Sequence, residues 1–360
     1  MKVTHLTGIE PSESQTVGSV GGLHRFIEEL VNAQKSHLSA EILPFPADTK
    51  IVPSGNVVPL DWNAVADVGR ALIGAANADI FHAHDWYGAV ALEHLYRCGH
   101  RALVMTVHLP IRRGFTYRDT GLHWQVKALL EHRALQLATR VTAPSEYVMR
   151  FLIEEYGLPP NRIAVVPHGV NCETFYPLGK HKLNGPPRVL AVGRLTEQKG
   201  FELLVRAFPV ILADEPGASL TIVGDGGRRS TLERLIVRLR LEKVVTLVGT
   251  ASKRQLLEHF DYASLVVMPS QFEPFGLVGL EAMACGCPVL AVAPTGATEY
   301  LEDWEVSTAY SPPRLGRAII EHLRRLRAGT VSRSAVRSRA EAWTWNRAVT
   351  AYKNIYDELV

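Results

Sequence analysis

The sequence predicts an α/β protein built from two doubly wound halves in tandem. Short apolar runs alternate with helix-length segments along the chain, the pattern of parallel strands joined by crossover helices. Those runs are continuously apolar, as in Ser264-Leu265-Val266-Val267-Met268, which suits strands buried on both faces. From Asn171 to Pro187 the pattern gives way to a stretch rich in Pro, Gly and charge, read as a linker. The chain's 360 residues, 47% of them hydrophobic, are enough for about two filled cores.

Composition narrows the classes. A net charge of +3 without a Lys/Arg block gives no footprint for nucleic acid. The four cysteines have no metal-ligand spacing, and Cys285 and Cys287 flank a helix end as small buried thiols. The start lacks a signal peptide, and no run of about 18 apolar residues occurs, so a soluble, cytoplasmic protein is expected.

In order, Val3 to Leu6 reads as the first strand, and a polar loop leads to Gly18-Ser19-Val20-Gly21-Gly22. Leu23, Phe26, Ile27, Leu30 and Val31 then line one face of a helix. Gly21 and Gly22 lack side chains, so their amides can approach a diphosphate or a hydroxyl closely. Asp79 to Trp86 ends a strand, with Asp85 either facing a ligand at the strand's carboxyl end or capping the helix through Ala89 and Leu92. Arg101 to Val107 is the next strand, with His108 at its end. The basic, aromatic stretch Ile111 to Arg118 follows, where Arg112 and Arg113 suit an anionic group or a solvated loop. A helix over Trp124 to Leu137, a strand over Arg140 to Ala143, a helix over Glu146 to Tyr156 and a strand over Ile163 to Val166 complete the first half.

The second half opens with the strand Arg188 to Val192 and the loop Gly193-Arg194-Leu195-Thr196-Glu197-Gln198-Lys199-Gly200. Two cations in a glycine-bounded loop after a strand are placed for a diphosphate, Arg194 as a fork and Lys199 as a point charge. Ser219 to Val223 is a strand before Gly224-Asp225-Gly226-Gly227, and Val248-Gly249-Thr250 follows another. After Met268, Pro274 and Gly276 are expected to open a helix running to about Cys285, which Gly286 and Pro288 end before the strand Val289 to Val292. Amides at Phe275, Gly276 and Leu277 would attract a phosphate. Glu273 lies beside them and Glu281 eight residues on, two carboxylates able to accept from sugar and ribose hydroxyls. Helices over Arg314 to Arg327 and Arg333 to Ala342 precede a last amphipathic helix with Trp345, Val349, Tyr352 and Tyr356 at core spacing.

The stretch from Glu273 to Glu281, within Met268 to Leu290, resembles the Glu-x7-Glu motif of the retaining glycosyltransferases of GT-B fold, most closely family 4, related to the glycogen synthases. The resemblance covers most of the chain. Gly193 to Gly200 matches that family's phosphate loop, Gly21-Gly22 its glycine loop, and His82-Ala83-His84-Asp85-Trp86 a His-x-His-Asp-Trp stretch on the acceptor side. Departures are His168 for the usual Asn before Gly169, Gln34-Lys35-Ser36-His37 in place of a Gly-His helix end, and Thr295 for a glycine in the loop to Glu299.

The resemblance implies two Rossmann-like domains facing a central cleft. Residues 1–170, completed by a crossing helix at 343–360, would take the acceptor, and residues 171–342 the nucleotide sugar. A hinge is expected at 169–187 and near Ala342. It implies retaining hexosyl transfer, with a UDP-sugar favoured as donor and a soluble acceptor favoured over a membrane one. His108 would reach the donor sugar near the reacting carbon, its main chain helping to hold charge there, and Val248 and Gly249 would seat the base. No Asp-x-Asp pair is present, so no metal and no cofactor is expected. A GT-B phosphorylase, a nucleotide-sugar epimerase and a non-catalytic binding subunit share the fold and stay open.

Overall fold

The computed structural model describes residues 1–7, 16–17, 22–44, 62–74, 76–114, 122–179, 185–307 and 310–360. The chain divides into two compact units: Met1–Ser12, Leu23–Pro167 and Trp345–Val360 form one, Glu13–Gly22 and His168–Thr344 the other. Each is built on a parallel six-stranded sheet.

In the first unit the strands run in the order Ser39–Pro44, Lys2–Thr7, Ile80–His84, Leu103–Thr106, Arg140–Ala143, Ile163–Val165. The edge strand Ser39–Pro44 and the helix Trp62–Ile73 escaped the sequence reading, the first because its apolar run is interrupted by Ser39 and Glu41. The strand expected over Arg101 to Val107 is shorter, Leu103–Thr106. Ser145 caps the helix Glu146–Tyr156 by accepting from the Val148 N–H, and Gly157 ends it at φ 66°. The last helix, Trp345–Asp357, buries Trp345, Ala348, Val349, Tyr352, Ile355 and Tyr356, a stripe of helical period. Tyr352 and Tyr356 reach the buried Thr106 and His82 with their hydroxyls, at 3.3 and 2.6 Å. Packing against the first unit's sheet decides this helix's place.

In the second unit the order is Val245–Gly249, Ser219–Val223, Arg188–Val192, Leu265–Met268, Val289–Val292, Val306–Ser307. Both sheet faces are covered, and strand periodicity divides the apolar residues between them. Leu190, Val192, Val266 and Met268 join one core, while Val189, Ala191, Leu265 and Val267 join the other. A short strand Thr16–Val17 pairs antiparallel with Ala251–Ser252 of this unit, although the sequence placed its surroundings in the first half.

Both sheets reverse winding at one point, between Lys2–Thr7 and Ile80–His84 in the first and between Arg188–Val192 and Leu265–Met268 in the second. The carboxyl ends of strands beside such a point are where doubly wound sheets take ligands, because the two crossovers leave in opposite directions and open a crevice.

The second unit also holds a buried ion pair far from those ends. Arg339 forks onto Glu305 at 2.7 and 2.6 Å, and the Glu305 side chain is 0% exposed. Removing the cation would leave a buried carboxylate uncompensated. Arg339→Ala is expected to cost about 3 kcal/mol, read as a lower denaturant midpoint, with Arg339→Lys recovering only part because an ammonium cannot fork.

Candidate functional site

In the second unit the residues singled out by sequence converge at the switch point. Gly200 has φ 66°, and a Cβ there would meet the Pro269 carbonyl oxygen at 2.0 Å. Only glycine lets the two loops approach so closely. They are laced by the Gln271 N–H donating to the Gln198 carbonyl at 2.8 Å and the Gln198 side-chain amide donating to the Phe272 carbonyl at 2.9 Å. This contact brings Lys199 Nζ to 2.8 Å from Glu273 Oε2. The buried Ser270 hydroxyl donates to the same carboxylate oxygen at 2.9 Å. The Glu273 backbone is pinned in turn, its carbonyl accepting from the Gly296 N–H at 2.7 Å. Arg194 is exposed and pairs with no carboxylate among the described residues.

Pro274 does not open the helix. It lies in the loop, and the helix is Leu277–Ala284 with Gly276 as its left-handed N-cap at φ 88°. The Gly276 carbonyl accepts the first helical N–H groups, from Gly279 at 2.9 Å and Leu280 at 3.4 Å, and also the Tyr300 hydroxyl at 2.5 Å, which fixes the cap in place. The Phe275 side chain packs with His168, Tyr300 and Trp343, so any ligand contact at this position falls to its main chain. Glu281 is buried one turn into the helix. Gly193 and Gly224 bring their strand ends together, since a Cβ on Gly224 would lie 1.9 Å from the Gly193 carbonyl oxygen. The Gly224 N–H donates to the Gly249 carbonyl at 2.7 Å, and beside that turn Val248 keeps 43% of its surface exposed.

The first unit has its own strand-end cluster. Asp85, at φ 53°, does not cap a helix with its side chain. Its carboxylate turns across to the next strand and accepts the His108 N–H at 2.7 Å and the Leu109 N–H at 3.4 Å. The His108 amide is thereby engaged, so a main-chain contribution from it would come through the carbonyl. Burial pushes the Asp85 carboxyl up to about 7. Behind His108 lies a buried polar chain that sequence reading did not assemble. His108 Nε2 is 3.0 Å from His84 Nδ1, His84 Nε2 is 2.9 Å from His5 Nδ1, and His5 Nε2 is 2.7 Å from Gln34 Oε1. Phe26 packs its ring edge-on to His108, centroids 4.4 Å apart.

Arg112 is exposed and oriented by the helix Glu146–Tyr156. Its guanidinium donates to the Glu155 carbonyl at 2.6 Å and lies over the Tyr156 ring at 4.8 Å. Residues 115–118, with which it was grouped, lie outside the described residues, as does Gly21. Arg113 belongs to the short helix Ile111–Gly114, and Gly22 is the first residue of the helix Gly22–Gln34.

Glu131 is the buried anchor of the segment after His108, accepting the Ile111 N–H at 3.0 Å and the Tyr156 hydroxyl. Burial raises its carboxyl from 4.5 to about 8. Such a group binds its proton more tightly folded than unfolded. It therefore stabilises fully below pH 4.5, and that stability is lost as pH rises through about 8. Glu131→Gln keeps the acceptor but cannot ionise. Across pH 5 to 8 the unfolding free energy of the parent should fall relative to Glu131→Gln, measured by urea titration at stepped pH; parallel curves would show that Glu131 titrates normally.

Residues 179–343 match the family described as Glycosyl transferases group 1, and residues 20–174 match Glycosyltransferase Family 4. The chain belongs to these glycosyltransferases, its two matches meeting near the boundary between its units. A D-inositol 3-phosphate glycosyltransferase of Pseudarthrobacter chlorophenolicus is 28% identical over 319 residues, covering 78% of this chain and 76% of that protein. Among solved structures, a sucrose-phosphate synthase from Thermosynechococcus elongatus superposes with a TM-score of 0.80 at 22% identity, over 100% of this chain and 99% of that one. Anabaena HepE in complex with UDP-glucose superposes at 0.72 with 21% identity, over 100% and 99% of the two chains. The shared fold is GT-B. No helix among the described residues is long and apolar enough to cross a membrane.

Proposed function

We propose that the protein transfers a hexose-type sugar from a nucleotide diphosphate sugar, with UDP as the nucleotide, to an acceptor hydroxyl with retention of configuration. The observation that carries this reading is the Lys199–Glu273 pair, 2.8 Å apart beside the exposed Arg194 at the switch point. In that pairing each charge neutralises the other. A diphosphate would take Lys199 and Arg194 as counter-charges, and Glu273, still held by Ser270, would turn its freed lone pairs to sugar hydroxyls. Glu281 is assigned to the ribose and the main chain at Val248 and Gly249 to the base. Support for a UDP-sugar comes from HepE, whose structure holds UDP-glucose. The acceptor is assigned to the first unit as a soluble small molecule or glycan.

As the glycosidic bond breaks, negative charge grows on the diphosphate. Arg194, Lys199 and the amides at Phe275, Gly276 and Leu277 are the groups that would hold it, and this stabilisation carries the rate. Retention is proposed to follow front-face attack, a donor phosphate oxygen taking the acceptor's proton.

The two glutamates should separate by step. Glu281→Gln keeps shape but removes the charge that strengthens a hydrogen bond to a hydroxyl, costing roughly 1–3 kcal/mol. Calorimetry with the nucleoside diphosphate alone should show that loss. Glu273→Gln should leave the same affinity nearly unchanged and lower kcat, because the sugar sits badly for attack. Equal losses of nucleotide affinity in the two variants would mean the roles are misassigned.

Because Arg194 and Lys199 supply the positive charge, turnover should be the same in EDTA as in added manganese. Loss of turnover in EDTA with full recovery on manganese would replace this electrostatic scheme with a metal-bridged diphosphate.

A further inference from the structure

The buried chain behind His108 has a direction, and the direction starts at Gln34. A neutral imidazole carries one donor and one acceptor nitrogen, so in a row of rings the first bond dictates every later one. Gln34 Oε1 can only accept, so His5 Nε2 donates to it and His5 Nδ1 is left to accept. His84 Nε2 then donates to His5, leaving His84 Nδ1 to accept from His108 Nε2. The last ring is thereby a donor at Nε2 and an acceptor at Nδ1.

The other end of the Gln34 amide runs a second branch of the same sense. Its Nε2 lies 3.4 Å from the Tyr356 hydroxyl, Tyr356 is 2.6 Å from His82 Nδ1, and His82 Nε2 is 2.6 Å from the Thr106 hydroxyl. One amide, acceptor at one end and donor at the other, therefore orders both branches without conflict. The rings are buried, so an imidazolium among them would bear the desolvation cost of a charge. Burial lowers His5 to about 4 and pushes His82 the same way.

The ring nitrogens of His5, His82 and His84 also fall within 4.8 Å of one another, as metal ligands would. Hydrogen bonding accounts for them better. Both His82 nitrogens already meet hydroxyls, and the His5–His84 separation of 2.9 Å is shorter than the about 3.4 Å between ligand atoms around tetrahedral zinc. Since Gln34 cannot pass a proton on, the chain does not conduct protons either; it holds one tautomer in place.

We propose that Gln34 is a positioning residue which, through His5 and His84, fixes His108 as the Nε2–H tautomer, so that Nδ1 accepts a hydrogen bond from a hydroxyl of the bound sugar. The last clause rests on the reading of His108 given above, and the first does not.

The test is long-range proton–nitrogen NMR of the full chain labelled with ¹⁵N-histidine, the His108 signals assigned by their loss in His108→Gln. The parent should show a bare Nδ1 and a protonated Nε2 at His108. Gln34→Met, nearly isosteric but unable to hydrogen-bond, should shift both His108 nitrogens toward tautomer-averaged values although it lies two rings away. Circular dichroism should be unchanged, which shows the variant is folded. A protonated Nδ1 in the parent, or an unshifted His108 in folded Gln34→Met, would overturn the relay. If Gln34→Met does not fold, the parent spectrum alone decides, since the opposite tautomer there refutes the assignment. In turnover with UDP-glucose and a hydroxyl acceptor, Gln34→Met should lower kcat roughly tenfold, the scale of one hydrogen bond. A shifted spectrum with unchanged kcat would uphold the relay and remove His108 from the sugar.

Discussion

The second unit depends on a near-collision that glycine avoids. The Pro269 carbonyl occupies the space where any other residue at 200 would carry its Cβ, and the backbone there is left-handed. Because the two loops touch main chain to main chain, Lys199 from one and Glu273 from the other meet at hydrogen-bonding distance. The same economy of side chains recurs where Gly224 abuts the Gly193 carbonyl. Three strand ends are thus held together by backbone contacts, and the charged groups point out of a frame that cannot relax away from them. Ser270 and Tyr300 complete it, one aiming the Glu273 carboxylate and the other holding the Gly276 carbonyl.

The first unit places its chemistry differently. Its strand ends carry polar groups backed by more polar groups, all buried: His108 on His84, His84 on His5, and Asp85 on two amides. Burying so many donors and acceptors is tolerable only when nearly all are paired, and a fully paired network is rigid. The Trp345–Asp357 helix contributes to that pairing as well as to the apolar core, because Tyr352 and Tyr356 end on the sheet's buried threonine and histidine. A segment at the far end of the chain therefore takes part in ordering the first strand's surroundings.

Much of the site was legible because its residues are punctuated. Arg194 and Lys199 sit between two glycines, and Glu273 and Glu281 flank a Pro-Phe-Gly turn. Asp85 was noticed but half misread: its position after a strand suggested a cap, whereas its carboxylate reaches a neighbouring strand no sequence window contains. What orients Arg112 was not visible either, since the Glu155 carbonyl and the Tyr156 ring lie some forty residues on. Gln34 showed only as a departure at a helix end and His5 not at all, since a glutamine there and a histidine in a strand are unremarkable until the sheet sets them side by side.

Local order, then, came from the sequence: apolar runs demand burial on both faces, and glycine and proline interrupt them at places set by backbone sterics. From these the two wound halves follow without coordinates, whereas the stretch after Asn171 read as a linker packs Phe175 into the second unit's core. Tertiary structure alone decided which carboxylate meets which cation and which histidine nitrogen faces which partner. Those outcomes depend on distances between residues far apart in the chain, and a hydrogen bond is lost when its partners part by about an ångström, a precision that periodicity does not contain.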